Sequence, residues 1–153
     1  MNKIELNKVA EVKLVYQTKV KASDRPRVRS SHDAYEILKG LYDKETIEHH
    51  ESVILLLLSR SNRVLGAKQI SSGGISGCII DVKLILQYCL IANASSFIIS
   101  HNHPSGNPDP SDSDKQITKK LKTASAYHDL TFTDHIIVTP ENKYTSFADE
   151  GYL

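Results

Sequence analysis

The stretch that most constrains the fold is "ESVILLLLS", residues 51 to 59, where six apolar residues run without interruption. A half-buried strand or helix would keep a polar face for water. This run has none, so it reads as a strand central to a sheet. "RSN" then turns the chain and "RVLGAKQIS" (63 to 71) returns, which predicts a hairpin.

The flanking segments fit around that hairpin. Residues 5 to 17, "ELNKVAEVKLVYQ", alternate partly between apolar and polar, which predicts a half-buried strand with Val12, Leu14 and Tyr16 on one face. "TKVKASDRPRVRSS" is polar, basic and broken by Pro26, and reads as an exposed, mobile arm. Residues 1 to 30 are thus set apart from 31 to 153, the expected main domain. A helix is expected from Ser31, with Ser31 or Asp33 as its cap and Tyr35, Leu38, Leu41 and Tyr42 as its apolar positions. "SSGGISG" marks a loop. "DVKLILQYCLIAN" (81 to 93) spaces Val82, Ile85, Leu86, Cys89 and Leu90 as an amphipathic helix does. A short buried strand, "SSFIIS", follows, then a helix over about 113 to 128 and closing strands in "LTFTDHIIVTP" and "KYTSFA". Together these predict an α/β sandwich around a mixed sheet.

With 153 residues, 40% apolar and 24% charged, the chain has the make-up of one globular domain with its own core. A net charge of +1 gives no argument for wholesale nucleic-acid binding, so a DNA contact would have to be local. The two cysteines, Cys78 and Cys89, lie in apolar segments and not in a C-x-x-C pattern, and read as buried thiols in a reducing compartment. There is no apolar leader region and no stretch near the roughly 20 apolar residues of a membrane span, so the expectation is a cytoplasmic protein with no membrane partner.

Chemistry concentrates in "IISHNHPSGNPDPSDSD", residues 98 to 114. At the end of a strand, His101 and His103 are two apart and share a face, so both imidazoles can meet one ion. Asp114 comes eleven residues after His103, across a loop stiffened by Pro104, Pro108 and Pro110 and bent at Gly106. Two histidines and a carboxylate are the ligand set of a catalytic zinc site that keeps a fourth position open. Glu51, at the mouth of the apolar run, is the candidate general base, because the edge of a low-dielectric core suits a carboxylate that must accept a proton near neutral pH. Ser111 offers a hydroxyl to an oxyanion.

Each residue also has a plainer reading. Ser111 and Asp114 fit the capping box [ST]-x-x-[DE] of the following helix. Two histidines beside prolines can be a solvated turn, and Glu51 a solvent-facing strand start. What favours the site is coincidence of spacing: H-x-H, seven residues, Ser, two residues, Asp.

These residues resemble the metal-binding signature of the JAB/MPN (JAMM) metalloprotease superfamily. "HNHPSG" with "PS..D..IT" is similar to its bacterial RadC-like branch. The likeness extends through "ESVILLLLSRSNRVLG", "GCIIDVKLILQYCLIANASSFIISHNHPSG" and "DLTFTDHIIV", over about residues 31 to 151. It implies a JAB/MPN, cytidine-deaminase-like fold with a mixed β-sheet flanked by helices. It also implies zinc on His101, His103 and Asp114, Ser111 supporting the tetrahedral intermediate, and Glu51 as general acid/base, with Glu48 the fallback. Full-length RadC-like proteins carry a helical N-terminal region resembling helix-hairpin-helix DNA-binding modules, which this sequence is expected to be too short to contain, and Lys83 stands where the family usually has arginine.

The resemblance implies a zinc-dependent hydrolase acting on a peptide or protein substrate. The competing reading is a DNA-associated protein for repair or mobile-element maintenance. It would use Lys19, Lys21, Arg25, Arg27 and Arg29 of the arm with Lys115, Lys119, Lys120 and Lys122 of the helix, although solvated faces explain the same charges. A non-catalytic scaffold is disfavoured, since such modules typically lose ligands. Homo-oligomers occur among the superfamily. Asp134 and His135 in "TDHIIV" read as packing and hydrogen bonding, and His49 and His50 as surface residues.

Overall fold

The computed structural model describes residues 12–13, 15–73 and 79–153. Among the described residues there are five strands, β1 (Ser52–Leu58), β2 (Val64–Ser72), β3 (Ser96–Asn102), β4 (Thr131–Val138) and β5 (Tyr144–Ser146), and three α-helices, α1 (Ser31–Lys39), α2 (Val82–Ile91) and α3 (Asp112–Ala126). The strands form one mixed sheet in the order β2-β1-β3-β4-β5. Of these pairs, β3–β4 is parallel and the others antiparallel, and α3 makes the parallel crossover. The expected sandwich is present, with the apolar run as β1, buried along its whole length.

Burial of β1 on both faces divides the core in two. Ile54, Leu56, Leu58 and Ile98 pack with Ala34, Tyr35 and Leu38 of α1. Leu55, Leu57, Phe97 and Ile99 pack with Ile85 and Cys89 of α2 and Leu121 of α3. The strand alternation that sends neighbours to opposite faces therefore covers both sides with helices.

A bulge in β4 is needed to keep this arrangement. Phe97 pairs with Phe132, but Ile98 pairs with Asp134, so Thr133 is an extra residue. Phe132 faces the α2–α3 side, while Ile136 and Val138 face α1. Without the bulge, all three even-numbered residues would share a face. With it, His135 and Ile137 turn toward the α3 side.

Local expectations fare unevenly. Helix α1 is capped by Ser30, whose hydroxyl accepts from the Asp33 backbone N–H, not by Ser31 or Asp33. Leu41 lies past its end and is exposed, whereas Tyr42 is buried. Helix α2 begins after Asp81, whose carboxylate caps it, and Leu90 is half exposed. The strand expected over residues 5 to 17 falls largely outside the described residues, and so do Leu14 and Cys78. Of the rest, Val12 is 93% and Val15 64% exposed, and neither is in a strand. The basic connection is pinned at its far end: Val28 N–H donates to the Asn62 carbonyl (2.9 Å), Val64 N–H to the Pro26 carbonyl (2.9 Å), and Val28 is buried in the core.

Truncating Leu56 to alanine, fully buried between the sheet and α1, should cost about 2–5 kcal/mol. Val12→Ser should stay within about 0.5 kcal/mol. Chemical denaturation of the two variants tests both, and a large loss in Val12→Ser would restore a packed N-terminal strand.

Candidate metal centre

The end of β3 is where the apolar strand turns polar while still buried. Ser100, His101 and Asn102 are 0%, 3% and 0% exposed. Burial requires each to find a partner. Ser100 Oγ lies 2.8 Å from the Tyr42 hydroxyl on the α1 side. His101 faces the α3 side, opposite Val53 of β1 and Ile137 of β4.

His103 lies just past the strand, and its N–H still donates to the Val138 carbonyl at 2.9 Å, so the parallel ladder holds it in place. Its Nδ1 donates to the Asn107 carbonyl at 2.8 Å. A carbonyl only accepts, so that nitrogen carries a proton and Nε2 is the one turned to the neighbouring side chains. The loop is tied again where the Thr145 hydroxyl donates to the Pro108 carbonyl (2.8 Å) and where Gly106 takes a φ of 81° in the turn closing on the His103 carbonyl. A Cβ at Gly106 would meet the Glu141 carboxylate at 3.4 Å in a conformation that side chains rarely adopt.

Asp114 shows that the cap and the site are one device. Its Oδ2 accepts from the Ser111 N–H at 2.8 Å, and the Ser111 hydroxyl accepts from the Asp114 N–H at 3.1 Å, a full capping box on α3. The same carboxylate points into the cluster, with Oδ1 3.3 Å from His101 Nε2 and Oδ2 3.5 Å from His103 Nε2. The two Nε2 atoms are 2.9 Å apart. One ligand atom from each of His101, His103 and Asp114 falls within 4.8 Å of the others, the one such group of three or more metal-ligating side chains among the described residues.

The donor chemistry suits a cation. Burial by itself would raise the Asp114 pKa, but hydrogen bonds and charge from His101 and His103 hold it well below the usual carboxylate range. Burial would lower the His103 pKa, yet the bond to Asp114, the Asn107 carbonyl and the charges of Asp114 and Glu51 leave it raised. In the absence of an ion, a proton shared among these atoms does what a metal would do. His135, behind His101 and fully buried, is kept well below its ordinary value by burial and by the His101 charge. The group can hold a metal ion.

Glu51 precedes β1 by one residue and Val53 by two, so alternation puts it on the His101 side, and its charge reaches His103. Glu48 is exposed in the preceding turn. Ser111 is exposed at the cap, one turn before Asp114. His49 is exposed, and His50 offers its carbonyl, not its ring, to the Asn102 side chain.

Two residues escaped the sequence reading. Asn102, between the histidines and on the opposite face, accepts from the Ser52 N–H (2.7 Å) and donates to the carbonyls of Ile47 (2.8 Å) and His50 (3.0 Å). It therefore clamps the turn that delivers Glu51. The available signal was an amide inside a buried strand, which has to be bonded. Thr118, one turn after Asp114, contacts His135 at 2.6 Å.

A family model described as the RadC-like JAB domain matches residues 28–152. A UPF0758 protein of Flavobacterium johnsoniae is 45% identical over 125 residues, covering 82% of this chain and 53% of the relative. UPF0758 proteins of Porphyromonas gingivalis (33% over 135 residues, 88% and 60%) and Aquifex aeolicus (35% over 160 residues, 97% and 67%) are also similar. The chain thus spans a little over half to two thirds of the length of these relatives.

Asn102→Ala leaves two carbonyls and one N–H of the clamp unpaired and should cost about 2–4 kcal/mol without removing a metal ligand; denaturation and metal titration together check this. The His103 proton has a definite pH signature. With its folded pKa raised, its contribution to the metal-free protein is complete below about pH 6.5 and is lost as pH rises through the folded value. Chelated wild type should therefore gain stability as pH falls toward about 6.5, and His103→Gln should not. Zinc affinity should run the other way, falling by about tenfold per pH unit once His103 is protonated.

Proposed function

The chain belongs to the RadC-like JAB domain family, and from that premise we propose that it is a zinc-dependent metallohydrolase that cleaves a peptide or isopeptide bond. The observation that carries this reading is the convergence of His101, His103 and Asp114, with the charge of Glu51 reaching the same point. His101 and His103 would bind through Nε2 and Asp114 through its carboxylate. Zinc held there supplies Lewis-acid polarisation of a carbonyl and lowers the pKa of a water to about 7.

The chain's own residues do the rest. Glu51 takes the proton of the attacking water and returns it to the leaving amine, which requires its carboxylate to face the ligands; its position two residues before Val53, which pairs with His101, supports this. The Asn102 clamp holds that carboxylate's backbone against β3. The Ser111 hydroxyl, at the start of α3, has its own proton to donate to the oxyanion of the tetrahedral intermediate while its oxygen accepts from Asp114 N–H. A fold does not name its reaction, so the hydrolase reading is supported by the donor set, and the bond class is part of the proposal.

Elemental analysis of protein purified without chelator is the first test. Near one zinc per chain is expected in wild type and little in His103→Ala or Asp114→Asn, the latter keeping an acceptor for the helix cap. Glu51→Gln should keep its zinc and lose about 10²–10⁴-fold in the rate of hydrolysis across a panel of peptide and isopeptide substrates. Folded wild type that takes up no added zinc would end this reading.

A further inference from the structure

His101 reaches the site with only one of its nitrogens. Its Nδ1 lies 2.8 Å from His135 Nε2, and His135 Nδ1 lies 2.6 Å from Thr118 Oγ1, which is itself 2.7 Å from the Asp114 carbonyl. The direction of this chain can be worked out from its far end. A carbonyl only accepts, so the single Thr118 proton goes to Asp114, and Oγ1 must accept from His135 Nδ1–H. His135 is 0% exposed and no carboxylate among the described residues bonds to its ring, so it is neutral and has no second N–H. Its Nε2 is therefore an acceptor, and the proton on that bond belongs to His101 Nδ1. Whenever His101 is neutral, then, its Nε2 is the nitrogen without a proton, and it lies on the side of Asp114 and His103.

We propose that His135, backed by Thr118, is a positioning residue that fixes the tautomer of His101 and keeps its Nε2 available to a metal ion. The proposal rests on the reading of His101 as a metal ligand. A histidine ligand whose other nitrogen is bonded in this way is held in both ring orientation and tautomer. What is unusual here is the identity of the partner. A carboxylate can only accept, whereas a second imidazole accepts only in one of its two tautomers, so Thr118 has to choose for it. Because Thr118 reads the carbonyl of Asp114, one ligand's backbone sets the tautomer of another ligand's ring. The ring of His135 also stacks on Phe147 at 4.4 Å, so its packing and its hydrogen bonding can be separated by substitution.

The separating variants are His135→Phe, which keeps the stack and removes the acceptor, Thr118→Val, which removes the hydroxyl, and Thr118→Ser, which restores it. Two readouts apply. Long-range proton–nitrogen correlation spectra of metal-free wild type at alkaline pH should show His101 Nε2 unprotonated and Nδ1 protonated, and His135→Phe should move His101 toward the Nε2–H form. Zinc affinity, by competition with a chelator, should fall about 10–100-fold in His135→Phe and Thr118→Val and recover in Thr118→Ser. A wild-type His101 carrying its proton on Nε2 would overturn the proposal. So would folded His135→Phe and Thr118→Val proteins that bind zinc as wild type does. Should wild type bind no zinc at all, the metallohydrolase reading falls, and the spectra still decide the tautomer.

Discussion

The structure depends on a buried strand that ends in polar residues. Ser100, His101 and Asn102 lie in the middle strand of the sheet, and no water reaches them to offset their desolvation. Each one therefore fixes a different neighbour. Ser100 is bonded to Tyr42 beyond the end of α1, Asn102 to the turn before β1, and His101 to His135 on β4. Three separate parts of the chain are located by three consecutive side chains. The site is where these obligations meet.

The helix cap and the ligand set reinforce one another in the same economical way. Asp114 would be needed at the start of α3 even with no histidines nearby, because the first backbone N–H groups of a helix have no partner of their own. Its carboxylate has enough lone pairs to serve both the Ser111 N–H and the imidazoles. The plain and the functional readings of "SDSD" are thus compatible, and they concern different lone pairs of one side chain.

Much of this was legible in the sequence because burial and spacing leave marks there. The six apolar residues of β1 could only be a doubly covered strand, and H-x-H beyond "FII" could only place both rings on one side. The misreadings have equally physical origins. Most of the N-terminal segment whose alternation suggested a strand lies outside the described residues, and of the rest the exposed Val12 and Val15 depart from it, neither being in a strand. The bulge at Thr133 is invisible in a pattern where Phe132, Asp134, Ile136 and Val138 alternate without a break. Asn102 was hidden between two more conspicuous residues, and the role of His135 needed the distance to Thr118 before its proton could be placed.

The loop between His103 and Asp114 is held at both ends and in its middle, by the Val138 carbonyl, by the bonds through Asn107 and Pro108, and by the capping box. Its three donors are consequently a host of nearly fixed aperture, with gaps of 2.9 to 3.5 Å between them. A small ion content with four ligands fits such an aperture. Two imidazole nitrogens and one carboxylate at these separations are far from the six to eight oxygens that calcium gathers at about 2.3–2.6 Å. The backbone ties thus bear on any ion placed there through the spread of its donors as much as through their chemistry.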